Sequence, residues 1–292
     1  MIIASVQANF EIGNLPVNLA RIRHRLEVAA ENGAKIIVFP ECSLSGYCFE
    51  NREEAFGSAV SLSPPDSTLQ PLIDDCRRLG VHAIIGLLEK DGDRVFNSAT
   101  CFGPMGIVAN YRKLHLPFLG VDRFVDPGDL PIEVFEIAGV RVGMHICYDG
   151  GFPELCRAMS IQGADLVLLP TCWPPAADIF ANHVMIARAL ENQVYTLASG
   201  RSGGERGYQF IGHSSIVAPG GFLLASAGSV DETIIYAEMD VNRARKKRVI
   251  RIPGIHEINR MADRRPEFYG DLVKPNSAWP RFTPGGPVVD ES

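Results

Sequence analysis

The 292-residue chain lacks any apolar run long enough to cross a bilayer. Runs such as Lys35–Pro40 and Asp165–Pro170 fall far short of the about 20 residues a spanning helix needs, so no membrane association is expected. The opening MIIASVQANFEIG has neither a basic n-region nor a cleavage site, and no export signal is read there. No Cys-x-x-Cys and no Cys/His pair has zinc-site spacing, so no metal is expected. The seven cysteines (Cys42, Cys48, Cys76, Cys101, Cys147, Cys156 and Cys172) are odd in number and lack framework spacing, which implies reduced thiols in a cytoplasmic protein. Excess charge is also small: 28 Lys+Arg against 34 Asp+Glu leave −6. Such a chain has no broad attraction to phosphate backbones, and nucleic-acid binding is not expected. With 46% hydrophobic residues, intrinsic disorder is excluded. No short-period repeat and no linker interrupt residues 1–250.

What is present is alternation. Ile2–Ala8 reads as a strand. Leu15, Leu19, Ile22, Leu26, Ala29 and Ala30 recur at helical spacing before a stop at Gly33, and Lys35–Phe39 reads as a buried strand. This β-α-β unit implies a parallel pair. A helix is predicted over Ser67–Leu79, with strands at Ala83–Leu88, Asn97–Phe102 and Ile107–Tyr111. The second half predicts strands at Val140–Ile146, Asp165–Leu169 and Val194–Ser199, interleaved with helices at Pro153–Gln162 and Ile179–Glu191. A hairpin follows over Ser214–Ala218 and Phe222–Ala225, then a strand at Thr233–Met239. The segment from Pro253 onward, rich in Pro, Gly and charge, reads as a tail. One α/β domain is the economical reading. Strand patterns alone leave one sheet or two.

Functional groups in α/β sheets gather beyond the carboxyl ends of strands. Three predicted strand ends deliver reactive types: Glu41 after Lys35–Phe39, Lys113 after Ile107–Tyr111, and Cys147 after Val140–Ile146. A thiolate is a nucleophile whose pKa a nearby cation lowers. A carboxylate can take the thiol proton and return it to a leaving amine. A lysine and a backbone N–H can face the oxyanion. Taken singly, each residue also has a plainer reading: Cys147 as a small buried side chain, Glu41 as a cap, Lys113 as a solvated charge.

The local sequences add to this. Phe39-Pro40-Glu41-Cys42 with Gly46-Tyr47 resembles the glutamate motif of the nitrilase superfamily of carbon–nitrogen hydrolases. Tyr111-Arg112-Lys113-Leu114-His115-Leu116 resembles its lysine motif, and His145-Ile146-Cys147-Tyr148-Asp149 with Phe152-Pro153-Glu154 its cysteine motif. Three motifs in order form a specific signal. The resemblance covers residues 1–272, read as one carbon–nitrogen hydrolase domain, and leaves 273–292 as a C-terminal tail. It implies an α/β fold of the four-layer α-β-β-α sandwich type, a homodimer or larger homo-oligomer, and no cofactor or metal. It also implies Glu41 as general base, Lys113 as oxyanion stabiliser, Cys147 as nucleophile and the Tyr148 N–H as second oxyanion donor. A second glutamate common in the family is missing from Val121–Gly128. Asp122 is the nearest carboxylate, either filling that role with a shorter arm or lying on the surface.

Tyr148-Asp149 in place of Trp-Glu resembles amidases more than nitrilases. Gly150-Gly151 removes the arginine clamp that carbamoyl-amino-acid hydrolases and omega-amidases place there, which favours a neutral or differently bound acyl group; a small linear amide is the substrate expected. Arg201 and Arg206 are read as surface charges that could otherwise replace the clamp. Trp173 is either a pocket wall or a core tryptophan, and Cys172 is pocket lining or packing. Tyr47 is expected at the entrance. Glu154 either buttresses the site or is an ordinary first-turn helix carboxylate. The readings set against an amidase are a carbamoylase or nitrilase, a papain-like Cys-His enzyme that leaves Glu41 and Lys113 unexplained, and a catalytically silent binding subunit.

Overall fold

The computed structural model describes residues 1–228 and 231–274. The described residues divide into two units, Met1–Lys247 and a second that begins at Arg248. From position 275 on, the expected tail lies outside the described residues.

The first unit runs β1 (Ile2–Gln7), α1 (Leu15–Glu31), β2 (Ala34–Val38), α2 (Arg52–Gly57), β3 (Val60–Ser61), α3 (Gln70–Leu79), β4 (His82–Asp91), β5 (Arg94–Gly103) and β6 (Gly106–Arg112). It continues with β7 (Val134–Ile137), β8 (Val140–Met144), α4 (Pro153–Ile161), β9 (Leu166–Thr171), α5 (Asp178–Asn192), β10 (Tyr195–Gly200), β11 (Ser202–Glu205), β12 (Tyr208–Ile211), β13 (Ser215–Ala218), β14 (Phe222–Ser226), β15 (Thr233–Glu238) and α6 (Val241–Arg245). One sheet has the order β15-β1-β2-β4-β5-β6, with β3 beside β4; the other has the order β14-β13-β10-β9-β8-β7. The predicted N-terminal β-α-β unit is present, with β1 and β2 parallel.

The layers follow from side-chain alternation along the strands. Ile3, Ile36, Val38 and Ile84 of the first sheet share a buried cluster with Val142, Leu166, Leu168 and Leu197 of the second. Their neighbours Ala4, Val6, Ile37, Ala83 and Ile85 turn the other way and pack with Ile22, Leu26 and Ala29 of α1 and Leu72, Ile73 and Cys76 of α3. On the far side, Leu155, Cys156 and Met159 of α4 pack with Val167 and Val194. The result is the four-layer α-β-β-α sandwich. Polar bonds also cross between the sheets: Ser5 Oγ donates to Ala198 O at 2.9 Å, and Ser199 Oγ contacts Val6 O at 2.7 Å and Val38 O at 3.0 Å.

Several short elements were not legible in the sequence. Helix α2 spans six residues and is fixed locally by Asn51, whose side chain accepts the Glu54 N–H; that length is too short for a helical period to emerge. The ribbon of β11 and β12 carries polar and glycine residues. In the second unit, β16 (Val249–Ile252) pairs with β17 (His256–Ile258). The segment read as a tail from Pro253 thus holds one strand of a hairpin.

Candidate active site

Glu41, Lys113 and Cys147 each stand just past the end of a strand. The first two belong to one sheet and Cys147 to the other. β2 ends at Val38, and Glu41 follows in a turn whose next residue, Cys42, has φ 50°. Gly86 on β4 makes room for that turn: a Cβ there would lie 2.3 Å from Pro40 O, 2.4 Å from Cys42 N and 2.7 Å from Glu41 Cα. Lys113 follows β6, its N–H bonded to Asn97 O at 2.8 Å. Cys147 opens a short 3₁₀ turn, Cys147–Gly151, with φ 47°. A left-handed backbone is costly for a residue with a side chain and is held only where the surroundings impose it. Here Arg188 reaches across from α5 to the carbonyls of Gly150 (3.2 Å) and Gly151 (3.3 Å).

The side chains of Glu41, Lys113 and Asp122 have no solvent exposure. Lys113 Nζ donates to Glu41 Oε1 at 2.7 Å and to Asp122 Oδ2 at 2.5 Å. Asn97 Nδ2 donates to the same Glu41 oxygen at 2.7 Å and to Asp122 Oδ1 at 2.9 Å. The Cys172 N–H donates to Glu41 Oε2 at 2.9 Å, and its thiol to Glu41 O at 3.2 Å. The Tyr47 hydroxyl donates to Asp122 Oδ2 at 2.8 Å. Two carboxylates therefore share one ammonium, with every described oxygen hydrogen-bonded.

Burial is the largest single influence on Asp122, Lys113 and Cys147, and neighbouring charges decide whether it prevails. It raises Asp122; Lys113 pulls it back and Glu41 adds to the rise, leaving it at about 6. Burial works against a charged Lys113, but Asp122 and Glu41 overcome it and hold the ammonium well above its ordinary value. For Cys147, burial raises the thiol, Glu41 raises it further and Lys113 lowers it, to a net value of about 12. Lys113 lowers the thiol, as expected of a nearby cation, but burial outweighs it and the net shift is upward.

Asp149 ties the turn after Cys147 to the strand that delivers Lys113. Its Oδ2 accepts the Tyr111 hydroxyl at 2.8 Å and Ile146 N–H at 3.1 Å; its Oδ1 accepts His115 N–H at 3.0 Å and meets His115 Nδ1 at 2.7 Å. Burial would raise this carboxyl, yet the bonds from His115 and Tyr111 and the charge of Lys113 hold it below its ordinary value. A second brace lies under Gly46-Tyr47. Arg201, fully buried, donates to Glu205 Oε1 at 2.7 Å, and Glu205 Oε2 accepts the N–H groups of Tyr47 (2.9 Å) and Cys48 (2.5 Å).

The sequence-predicted residues sort as follows. Glu41, Lys113, Asp122, Tyr47 and Cys172 come together around one ammonium. Asp122 is buried, so the surface alternative falls. Cys172 bonds to Glu41 instead of only filling space. Tyr47 is fully buried, and it also walls a cleft of about 260 Å³ with Phe49, Phe118, Leu119, Arg123 and Tyr208. Trp173 is buried in the core cluster that includes Cys147, with Phe180 edge-on at 6.2 Å. The Tyr148 side chain is exposed. Glu154 is exposed on the first turn of α4 and is not brought to the ammonium; its place on the outward side of that turn gives the ordinary helix carboxylate. Arg201 is an internal brace rather than a surface charge, and Arg206 pairs with Glu54. Asn97 was missed, since a lone asparagine inside a strand gives no motif signal.

The two-sheet sandwich sets Glu41, Lys113 and Cys147 just past strand ends, with Glu41 and Lys113 paired and buried. Comparison with known proteins makes this specific. The carbon-nitrogen hydrolase family model matches residues 2–249. The chain is 38% identical over 267 residues to a nitrilase of Pyrococcus abyssi, covering 91% of this chain and 98% of that relative. It is 32% identical over 242 residues to the omega-amidase of Homo sapiens, covering 77% and 84%. Among solved structures, a Saccharomyces cerevisiae member of branch 10 of the nitrilase superfamily aligns with TM-score 0.76 and 26% identity over 84% of this chain and 92% of that one. An amidase from Nesterenkonia sp. aligns with TM-score 0.78 and 24% identity over 94% and 96%. The chain belongs to the carbon-nitrogen hydrolase family, within the nitrilase superfamily.

Proposed function

We propose that the protein hydrolyses the carbon–nitrogen bond of a small linear amide through a Cys147 thioester. The observation that carries this reading is the buried Lys113–Glu41 pair set against a thiol that senses both charges. Glu41 takes the Cys147 proton as sulfur attacks the amide carbon. Lys113 has three N–H donors; two hold Glu41 and Asp122, and the third stabilises the oxyanion together with the Tyr148 N–H. Glu41 passes the proton to the nitrogen, the C–N bond breaks, and ammonia or an amine departs. Water then gives a proton to Glu41 and attacks the thioester, the C–S bond breaks, and the proton returns to Cys147. Asp122 acts as the fourth acid, holding Lys113. Trp173 is assigned to the acyl pocket wall and Tyr47 to the substrate side of Asp122. No step calls for a cofactor.

The names of the omega-amidase relatives support the amide. The name of the Pyrococcus abyssi relative supports a nitrile as a second substrate class. Ammonia release from a panel of small amides, carbamoyl amino acids and nitriles, with Cys147→Ala as control, tests both. Cys147-dependent turnover of an amide supports the reading. Turnover of a nitrile or carbamoyl compound alone would replace it, and full turnover by folded Cys147→Ala would end the thioester mechanism.

We further propose a cytoplasmic homodimer or larger homo-oligomer. Among the described residues no helix is long and apolar enough to cross a membrane. Phe222, Leu223 and Leu224 on edge strand β14 are all exposed, an apolar patch of the kind that partners cover. Light scattering after size exclusion measures the mass.

A further inference from the structure

Asn97 lies on β5, 1% exposed, between the strands that lead to Glu41 and Lys113. Its amide nitrogen has two hydrogens, and each meets a different carboxylate: Glu41 Oε1 at 2.7 Å and Asp122 Oδ1 at 2.9 Å. Its carbonyl oxygen faces the Cys42 thiol at 3.5 Å. These partners fix the orientation of the amide. Reversed, its oxygen would confront two carboxylate oxygens. The oxygens are also divided between donors: Asp122 Oδ2 takes Lys113 and Tyr47, leaving Oδ1 to Asn97. Two carboxylates around one ammonium leave the cluster one positive charge short. A neutral donor with both hydrogens committed offsets that shortfall without adding an acceptor, since hydrogen bonds to a charged form favour it. The titratable groups facing the cluster are Glu41 and Cys42 beyond β2, Tyr47 in the following loop, Lys113 beyond β6, Asp122, Cys147 beyond β8 and Cys172 beyond β9.

We infer that Asn97 is a positioning residue whose amide holds Glu41 and Asp122 on Lys113 and keeps both free of protons, so that Glu41 is ready to accept the proton of Cys147. This rests on the assignment of Glu41 as base under the proposed function. Asn97→Leu keeps the branched shape, with a larger volume, and removes both donors. Asn97→Asp keeps the shape and adds a third carboxylate, which forces the cluster to retain a proton.

The test is the rate of Cys147 alkylation by chloroacetamide as a function of pH, followed by intact mass with the site confirmed by peptide mapping. It needs no knowledge of the substrate. The full chain, Glu41→Gln, Asn97→Leu, Asn97→Asp and Asn97→Ser are compared, each with its melting temperature. Both Asn97→Leu and Asn97→Asp should move the midpoint of alkylation up by about one pH unit, an about tenfold slower reaction on the acid side; Asn97→Ser, with one donor, should move it less. Glu41→Gln should abolish the pH-dependent step. A folded Asn97→Leu or Asn97→Asp with the midpoint of the unaltered chain, even with a lowered melting temperature, would overturn the inference and leave Glu41's role intact. A Glu41→Gln protein with an unchanged profile would instead overturn the base assignment, and the inference with it. If Asn97→Leu does not fold, Asn97→Asp and Asn97→Ser decide the question by the same midpoints.

Discussion

The Tyr111 hydroxyl donates to Asp149 Oδ2 at 2.8 Å, joining the strand that delivers Lys113 to the turn that begins at Cys147. The bond spans the two sheets, and both partners are buried. Tyr111→Phe removes the donor and keeps the ring. Removing one hydrogen bond to a buried carboxylate costs about 1.5–3 kcal/mol, so the urea midpoint should fall accordingly. Turnover should fall as well, because Asp149 then keeps only its bonds from His115 to the segment that carries Lys113.

Gly86→Ala should be worse than its one added methyl suggests. The new carbon would meet three backbone atoms of the Pro40–Cys42 turn, the nearest Pro40 O at 2.3 Å. Overpacking of this kind costs about 1–3 kcal/mol, and here the displaced atoms carry Glu41. Gly57→Ala is the control, since nothing lies within 4 Å of its added carbon. Thermal melts and activity of the pair should show a loss only in the first.

Much of this site was legible in the sequence, for identifiable reasons. Glu41, Lys113 and Cys147 announce themselves through contiguous neighbours at strand ends, where period-two patterns stop. Asp122 left no such mark, because it reaches the ammonium from a four-residue 3₁₀ turn at Gly120–Arg123, whose register only the fold reveals. Asn97 was hidden for the opposite reason. It sits within a regular strand whose side chains are buried at nearly every position, so burial pattern could not separate a packed residue from a working one. Arg201 was read as a surface charge because arginine is seldom fully buried; its partner Glu205 lies on the following ribbon and shows only in three dimensions.

Activity should have an acid limb near pH 6, set by the Asp122–Glu41–Lys113 cluster as a unit. A kcat/KM profile should rise across that pH, and Asp122→Asn should remove or displace the limb. The linkage to stability has the reverse sign from a usual carboxylate. The folded-state value, about 6, is above the ordinary aspartate value of 3.8, so between these two the native state binds the proton that the unfolded chain has lost. This group's contribution is fully present below pH 3.8 and declines as pH rises through 6. Urea melts of the unaltered chain against Asp122→Asn, at pH values on either side of the window, measure it.

Arg201→Met should be severely destabilising. It strips Glu205 of its cation while that carboxylate remains buried, a loss of about 3–5 kcal/mol. Adding Glu205→Gln should recover part of the loss, because the orphaned charge goes too while an amide oxygen remains for Tyr47 and Cys48. Urea midpoints of the single and double variants give the coupling.

The division of Glu41 and Lys113 to one sheet and Cys147 and Cys172 to the other has a kinetic consequence. Each sheet can hydrogen-bond its own strands before it meets its partner. The Cys172 N–H contact with Glu41 Oε2 exists only once the two faces have closed on each other. On refolding, far-UV circular dichroism should therefore recover first and catalytic competence last. Recovery of turnover would then report the docking of the two faces, and any ligand that seats between them would hold that step closed.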